Sequence, residues 1–183
     1  MLKLTWKSPK LTIKTLALAG LLIALKVILS KISLGPENLV KVSLGFIGTL
    51  LLGYFLGPWL AGVAMIVQDI ISNTIFSSGA PFFIGFTFSA FLSGLIAGAF
   101  LYQQKVSWQR ILCYEFIQCL VSNIILTTLW IHLLYSTPIW SLLVVRVPKN
   151  LILWPIETLV GVVVLQALSK RKLLHSDSNS HLS

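Results

Sequence analysis

Six stretches of the chain, at about 11–33, 44–57, 58–76, 82–103, 109–135 and 146–168, are almost wholly apolar. A helix that crosses a bilayer needs about 20 such residues, and in lipid its backbone must satisfy its own polar groups. The expected fold is therefore an all-α integral membrane protein, a single bundle of six transmembrane helices. The second stretch is short, and Gly57-Pro58 separates it from the third. So tight a break makes these two helices antiparallel neighbours. Composition agrees: 10% of residues are charged, against about 25% in a soluble domain. Residues 1–172 form the predicted membrane domain, and the polar stretch 173–183 is expected to be a disordered cytoplasmic tail.

The net charge of +9 is arranged as a collar. Lys3, Lys7, Lys10 and Lys14 precede the first apolar stretch, Lys105 and Arg110 sit in a short mid-chain break, and Lys170, Arg171 and Lys172 follow the last. With six spans all three groups share one side, which the positive-inside rule makes cytoplasmic along with both termini. Lys31 and Lys41 fall in the first external loop and weaken the contrast without reversing it. The predicted location is the cell membrane, multi-pass, with the lipid bilayer and not nucleic acid as the partner of the basic residues. The triplet Ala17-Leu18-Ala19 sits at the start of the apolar run, where no signal-peptide cleavage site falls, so the first helix is expected to be retained.

Charged and amide side chains at membrane depth face a partner or a cavity. In the last stretch Arg146, Asn150, Glu157 and Gly161 fall in one narrow stripe, with Lys149 on an adjoining face. Arg146 and Lys149 either meet an incoming anion or snorkel to the external interface, and the polar stripe they share with Asn150 and Glu157 favours the first. Asp69, Ser72 and Asn73 share a face of the third stretch. There Asp69 either accepts hydrogen bonds from an amidine-like ligand edge or ties neighbouring helices together.

In the first stretch Ala17, Gly20 and Ala24 form a small-residue stripe suited to close helix approach. Lys26 points almost opposite, and snorkelling is favoured for it. Phe82, Phe83, Phe86, Phe88 and Phe91 crowd the start of the fourth stretch, and Trp130 shares a helix face with Asn123 and Thr127. Interface belts account for most such aromatics, while one or two, Phe86 and Trp130 foremost, suit a slot for a flat heterocycle. Pro155 frees the carbonyl of Leu151 and introduces a bend.

The chain carries no phosphate loop of the G-x-x-x-x-G-K-[ST] kind, no H-E-x-x-H and no G-x-S-x-G. His132 stands alone, and Cys113 and Cys119 project from different sides of a helix. No catalytic residue, metal site or cofactor is expected, and any ATP hydrolysis must come from other subunits.

These residues together resemble the substrate-binding S components of energy-coupling factor vitamin transporters, over nearly the whole chain. Gly20-Leu-Leu-Ile-Ala24 is similar to the A-x-x-x-A motif through which S components dock, with Gly20 in place of the first Ala. Lys41-Val-Ser-Leu-Gly-Phe46 through Gly57-Pro58 to Asp69 resembles the family's second and third helices. Gly79-Ala-Pro-Phe-Phe-Ile-Gly85-Phe-Thr87, Thr128-Leu-Trp130 and Arg146-Val-Pro-Lys149-Asn150 through Pro155-Ile-Glu157 look most like the folate-specific branch.

The resemblance implies capture of folate or a related vitamin on the external face. It also implies association with a transmembrane coupling subunit and two cytosolic ATPases, and delivery by toppling of the S component. The candidate substrate contacts are Lys41, Asp69, Asn73, Phe86, Trp130, Arg146, Lys149, Asn150 and Glu157; Ala17, Gly20 and Ala24 are the candidate docking residues. The loops 34–43 and 77–81 are candidate lids. Thiamine or riboflavin is the alternative ligand within the family, and a membrane-embedded enzyme or a structural subunit is the alternative outside it.

Overall fold

The structure, a computed structural model, describes residues 4–34, 42–74 and 83–180, with 33–34, 42 and 171–180 as backbone only. Five of its helices are long and apolar enough to cross a membrane: Ile13–Lys31, Gly45–Thr74, Ile84–Leu101, Trp108–Tyr135 and Ile139–Lys170. Apart from a two-residue antiparallel pair, β1 (Ser33–Leu34) with β2 (Val42–Ser43), the described residues are helical or in short connections.

Helix α1 (Ile13–Lys31) begins at Thr12, whose side chain accepts the Thr15 backbone N–H at 3.2 Å. One face, with Leu22, Lys26 and Val27, is buried. The other, with Ile13, Leu16, Leu21 and Ile28, is exposed. Such a helix is apolar all round because its outer face meets lipid instead of water.

The expected second and third spans are joined in one helical element, α2 (Gly45–Thr74), interrupted at Gly57. Gly57 has φ 69° and ψ 178°, a conformation that excludes a side chain, and Pro58 supplies no N–H to carry the helix through. A Cβ at Gly57 would also fall 2.8 Å from the Lys7 carbonyl oxygen. The chain turns back on itself there. Gly45 and Gln68 line one cavity, whereas a straight helix would hold them about 35 Å apart.

Both limbs of α2, 45–56 and 58–74, lie along α3 (Ile84–Leu101). Gly53 abuts Ala97, Gly98 abuts Gly57 and Pro58, and Gly94 abuts Ala61 and Gly62 so closely that a Cβ would sit 2.6 Å from the Ala61 carbonyl oxygen. Small residues here let three backbones meet.

The next membrane-length run is continuous from Trp108 to Tyr135 but changes winding: α4 (Trp108–Gln118), a π segment (Cys119–Leu126) and α5 (Thr127–Tyr135). It ends at Ser136 in the left-handed conformation. Helix α6 (Ile139–Ser180) then begins directly after Pro138, not at Arg146. The expected external loop 136–145 shrinks to 136–138, because a proline just before a helix favours its start and the sequence from Ile139 is already apolar. Pro148 and Pro155 both lie inside α6. Its backbone continues through Ser180, into the stretch 173–183 that its polar sequence suggested would lack structure.

The residues around 4–12 close one end of the bundle. Thr5 N–H donates to the Ala99 carbonyl at 2.9 Å, Gln104 Nε2 donates to Thr5 Oγ1 at 2.6 Å, and Trp59 N–H donates to Ser8 Oγ at 3.1 Å. Lys105, Arg110 and Leu165 flank the same end. Leu50, Leu52, Leu56, Ala61, Ala97, Ile111, Tyr114 and Leu165 form the closed core between this end and the cavity above it.

Candidate binding site

Above that core the helices part around a cavity of about 800 Å³, within the range of small-molecule sites. Every helix contributes to its wall, and the polar side chains are unevenly spread. Arg146 and Lys149 of α6, Asn123 of the π segment, Thr127 of α5 and Ser141 of α6 surround one end. Tyr114 and Glu115 of α4 and Glu157 of α6 surround the other, next to the closed core. From Arg146 to Glu157 the axis of α6 rises by about 16 Å, so cations and acids occupy opposite ends. Lys26 and Thr49 border the same cavity.

The α6 wall is a stripe at i, i+3 and i+4 spacing: Leu142, Arg146, Lys149, Asn150, Leu153 and Glu157. Arg146, Lys149, Asn150 and Glu157 therefore meet in one cavity, as their spacing predicts. Arg146 Nη1 donates to the Asn123 carbonyl at 3.3 Å, which among the described residues leaves most of its planar donor fork uncommitted. Asn150 Nδ2 donates to the Arg146 carbonyl at 2.9 Å. Past Glu157 the stripe reaches Gly161, where a Cβ would fall 2.8 Å from Leu50, and the cavity closes.

Other candidates sit elsewhere. Asp69 accepts the Thr87 hydroxyl at 2.7 Å and so faces α3, and Asn73 turns back to donate to the Asp69 carbonyl at 2.9 Å. Its neighbour Gln68 takes the cavity position instead, with Nε2 donating to Ser72 Oγ at 2.7 Å. Trp130 donates its indole N–H to Ser89 Oγ at 2.8 Å and packs on Phe83 at 5.7 Å between ring centres; Phe83 in turn packs on Phe86 at 6.0 Å. This aromatic cluster joins α3 to α5, and among the described residues Phe46 and Tyr114 are the rings on the cavity wall. Lys41, Phe82 and the loop 77–81 lie outside the described residues, as does most of the loop 34–43.

Lys26 reverses its sequence expectation. It is only 7% exposed, and its ammonium donates to the Thr49 hydroxyl on the cavity wall instead of snorkelling. Glu115 is the residue that sequence reasoning misses, although a carboxylate in the middle of an apolar span is the same signal that marks Glu157. Its Oε1 and that of Gln118, one turn further on, have no hydrogen-bond partner among the described residues. Ser93 and Ser122 close the wall between α3 and the π segment through a 2.9 Å hydroxyl–hydroxyl bond. On the far side of α1, Ala17, Gly20 and Ala24 are exposed, and nothing lies within 4 Å of a Cβ placed on Gly20. Among the described residues no cluster of His, Cys, Asp and Glu is placed to hold a metal ion.

The family model for the substrate-specific component of ECF transporters matches residues 14–165. A folate transporter, FolT, of Leuconostoc mesenteroides is 35% identical over 159 residues, covering 84% of this chain and 85% of that protein. FolT of Clostridium novyi is 32% identical over 139 residues, covering 76% and 80%, and FolT of Streptococcus mutans is 30% identical over 174 residues, covering 90% and 92%. Among solved structures, a crystal structure of FolT bound with folic acid superposes with a TM-score of 0.75 at 34% identity, covering 84% of this chain and 93% of that one.

Proposed function

The chain belongs to the family of substrate-specific components of ECF transporters, and from that premise we propose that it is the folate-binding component of such an importer. It is a multi-pass membrane protein that binds its substrate and performs no chemistry on it. The observation that carries the folate reading is the polarised cavity, with Arg146 and Lys149 at one end and Glu115 and Glu157 at the other. Folate is long, with a glutamate tail bearing two carboxylates at one end and a flat pterin, whose donors are N3–H and a 2-amino group, at the other. Arg146 and Lys149 suit the tail. The likeness to FolT proteins at 30–35% identity supports the same ligand.

In this reading the polypeptide crosses the membrane six times, with the reversal at Gly57 counted as the turn between the second and third crossings. The end closed by residues 4–12, with Lys7, Lys105 and Arg110 nearby, faces the cytoplasm. The cavity then opens outward past Arg146. Capture is external, and release inside follows association with a transmembrane coupling subunit and two cytosolic ATPases through the small-residue face of α1.

Titration calorimetry on the purified full chain in detergent tests the ligand. Tight, stoichiometric binding of folic acid, with none of thiamine or riboflavin, is the expected result. Binding of either of those vitamins in preference to folic acid reassigns the component to another substrate.

A further inference from the structure

We infer that Thr127 is a positioning residue for Arg146: it clamps the π winding of Cys119–Leu126, and that winding offers the guanidinium a backbone carbonyl that an α-helix would keep for itself. The inference rests on the folate reading, in which Arg146 meets the ligand's carboxylates, and goes beyond it by naming what aims the guanidinium. In a regular α-helix the N–H of residue 127 bonds the carbonyl four residues back, that of Asn123, and a threonine hydroxyl bonds three or four back. Both donors of Thr127 reach one residue further. Its N–H goes to the Ser122 carbonyl, and Oγ1 donates to the same carbonyl at 2.6 Å. The Asn123 carbonyl is thereby released from the Thr127 N–H, and it accepts Arg146 Nη1 at 3.3 Å.

Winding of this kind needs support, because π turns are rare and occur mostly singly, often at functional sites, whereas this segment runs for 8 residues. Ser122 is buried, and its hydroxyl pairs at 2.9 Å with that of Ser93 on α3, which fixes the rotation of the segment. From the other side the Thr127 hydroxyl grips the Ser122 carbonyl, and the wide turn ends there. Asn123, Thr127 and Arg146 all border the cavity. A bond to a fixed carbonyl narrows the rotamers of a long side chain before the ligand arrives. Such pre-organisation raises affinity by lowering the entropy lost on binding.

The test is calorimetric binding of folic acid and of pterin alone to the full chain in detergent, with T127V and T127S each made in native protein and in R146A. T127V replaces the hydroxyl by a methyl of similar size. It is expected to bind folic acid about two- to tenfold more weakly than native protein, the range of one uncharged hydrogen bond. T127S keeps the hydroxyl and binds folic acid as native protein does. Pterin binds T127V as it binds native protein, and in R146A the T127V substitution changes nothing further, the mark of coupled residues. A loss in T127V that persists undiminished in R146A puts Thr127 on the ligand or in the packing and overturns the inference. An equal loss for pterin, native affinity in T127V, or a T127S that binds no better than T127V overturns it too. Should T127V fail to fold, T127A against T127S isolates the same hydroxyl in the same cycle. Folic acid that binds R146A as tightly as native protein sinks the tail placement and this inference with it; R146A weakened while T127V is silent sinks the inference alone.

Discussion

The Lys26 ammonium donates to the Thr49 hydroxyl, and the lysine stem passes over Gly48 to reach it. A Cβ at position 48 would lie 2.5 Å from Lys26 Cβ and 2.8 Å from its Cα, so α1 and α2 touch backbone to side-chain stem at the level of the cavity. The absence of a side chain at 48 is what allows a lysine to be held inside the bundle.

Gly48→Ala is accordingly expected to force α1 away from α2. Overpacking of this kind costs about 1–3 kcal/mol, visible as a lower thermal unfolding midpoint in detergent. Because the displaced helix carries Lys26, folic acid binding should weaken in the same variant. An unchanged midpoint would mean that the two helices can separate freely.

Trp130 gives the opposite prediction. Its indole bonds Ser89 and its ring rests on Phe83, away from the cavity wall. Trp130→Phe removes one hydrogen bond and leaves the Ser89 hydroxyl without it, a loss of about 1 kcal/mol, with folic acid affinity unchanged. A large fall in affinity with unchanged stability would make Trp130 a ligand contact after all.

The α6 stripe is legible in the sequence because polar residues in an apolar helix stand out, and Arg146, Asn150 and Glu157 repeat at helical spacing. The hairpin at Gly57-Pro58 is legible for a similar reason: those two residues cannot continue a helix. Rotation about the helix axis is harder to read. Gln68 and Asp69 are adjacent and both polar, and a turn of about 100° separates them; Thr87, on another helix, holds the Asp69 carboxylate toward α3. Asn123, Thr127 and Trp130 share a face only if the winding is uniformly α. The π segment Cys119–Leu126 has wider turns, which re-phase the helix beyond it, so Asn123 and Thr127 reach the cavity and Trp130 does not. The start of α6 is misplaced by the charge at Arg146, which resembles a helix end, when Pro138 is the nearer signal.

Arg146→Ala and Lys149→Ala are each expected to weaken folic acid binding by about tenfold or more, the scale of a charge-assisted hydrogen bond. Neither should lower the unfolding midpoint appreciably, since among the described residues the Arg146 side chain makes a single bond, at 3.3 Å to the Asn123 carbonyl. Arg146→Lys should recover only part of the loss, because a point charge cannot reproduce a bidentate grip on a carboxylate. A ligand truncated to the pterin alone should bind all three variants as it binds native protein. If the pterin is as sensitive to Arg146 as folic acid is, the tail does not lie at this end.

Gly20→Trp separates binding from transport. Gly20 lies on the exposed face of α1, on the far side from Lys26, with open space around it. An indole there meets no part of the cavity wall, so folic acid should bind as tightly as to native protein and the unfolding midpoint should hold. The same indole stands in the middle of the Ala17–Gly20–Ala24 stripe, where close approach to another helix needs small residues. Uptake of labelled folic acid by cells carrying the variant should therefore fall to background, and the variant should not co-purify with the coupling subunit. Gly20→Ala, which restores the small-residue pattern, should transport normally. Normal uptake by Gly20→Trp would remove this face of α1 from the docking surface and leave the partner to be sought on another helix.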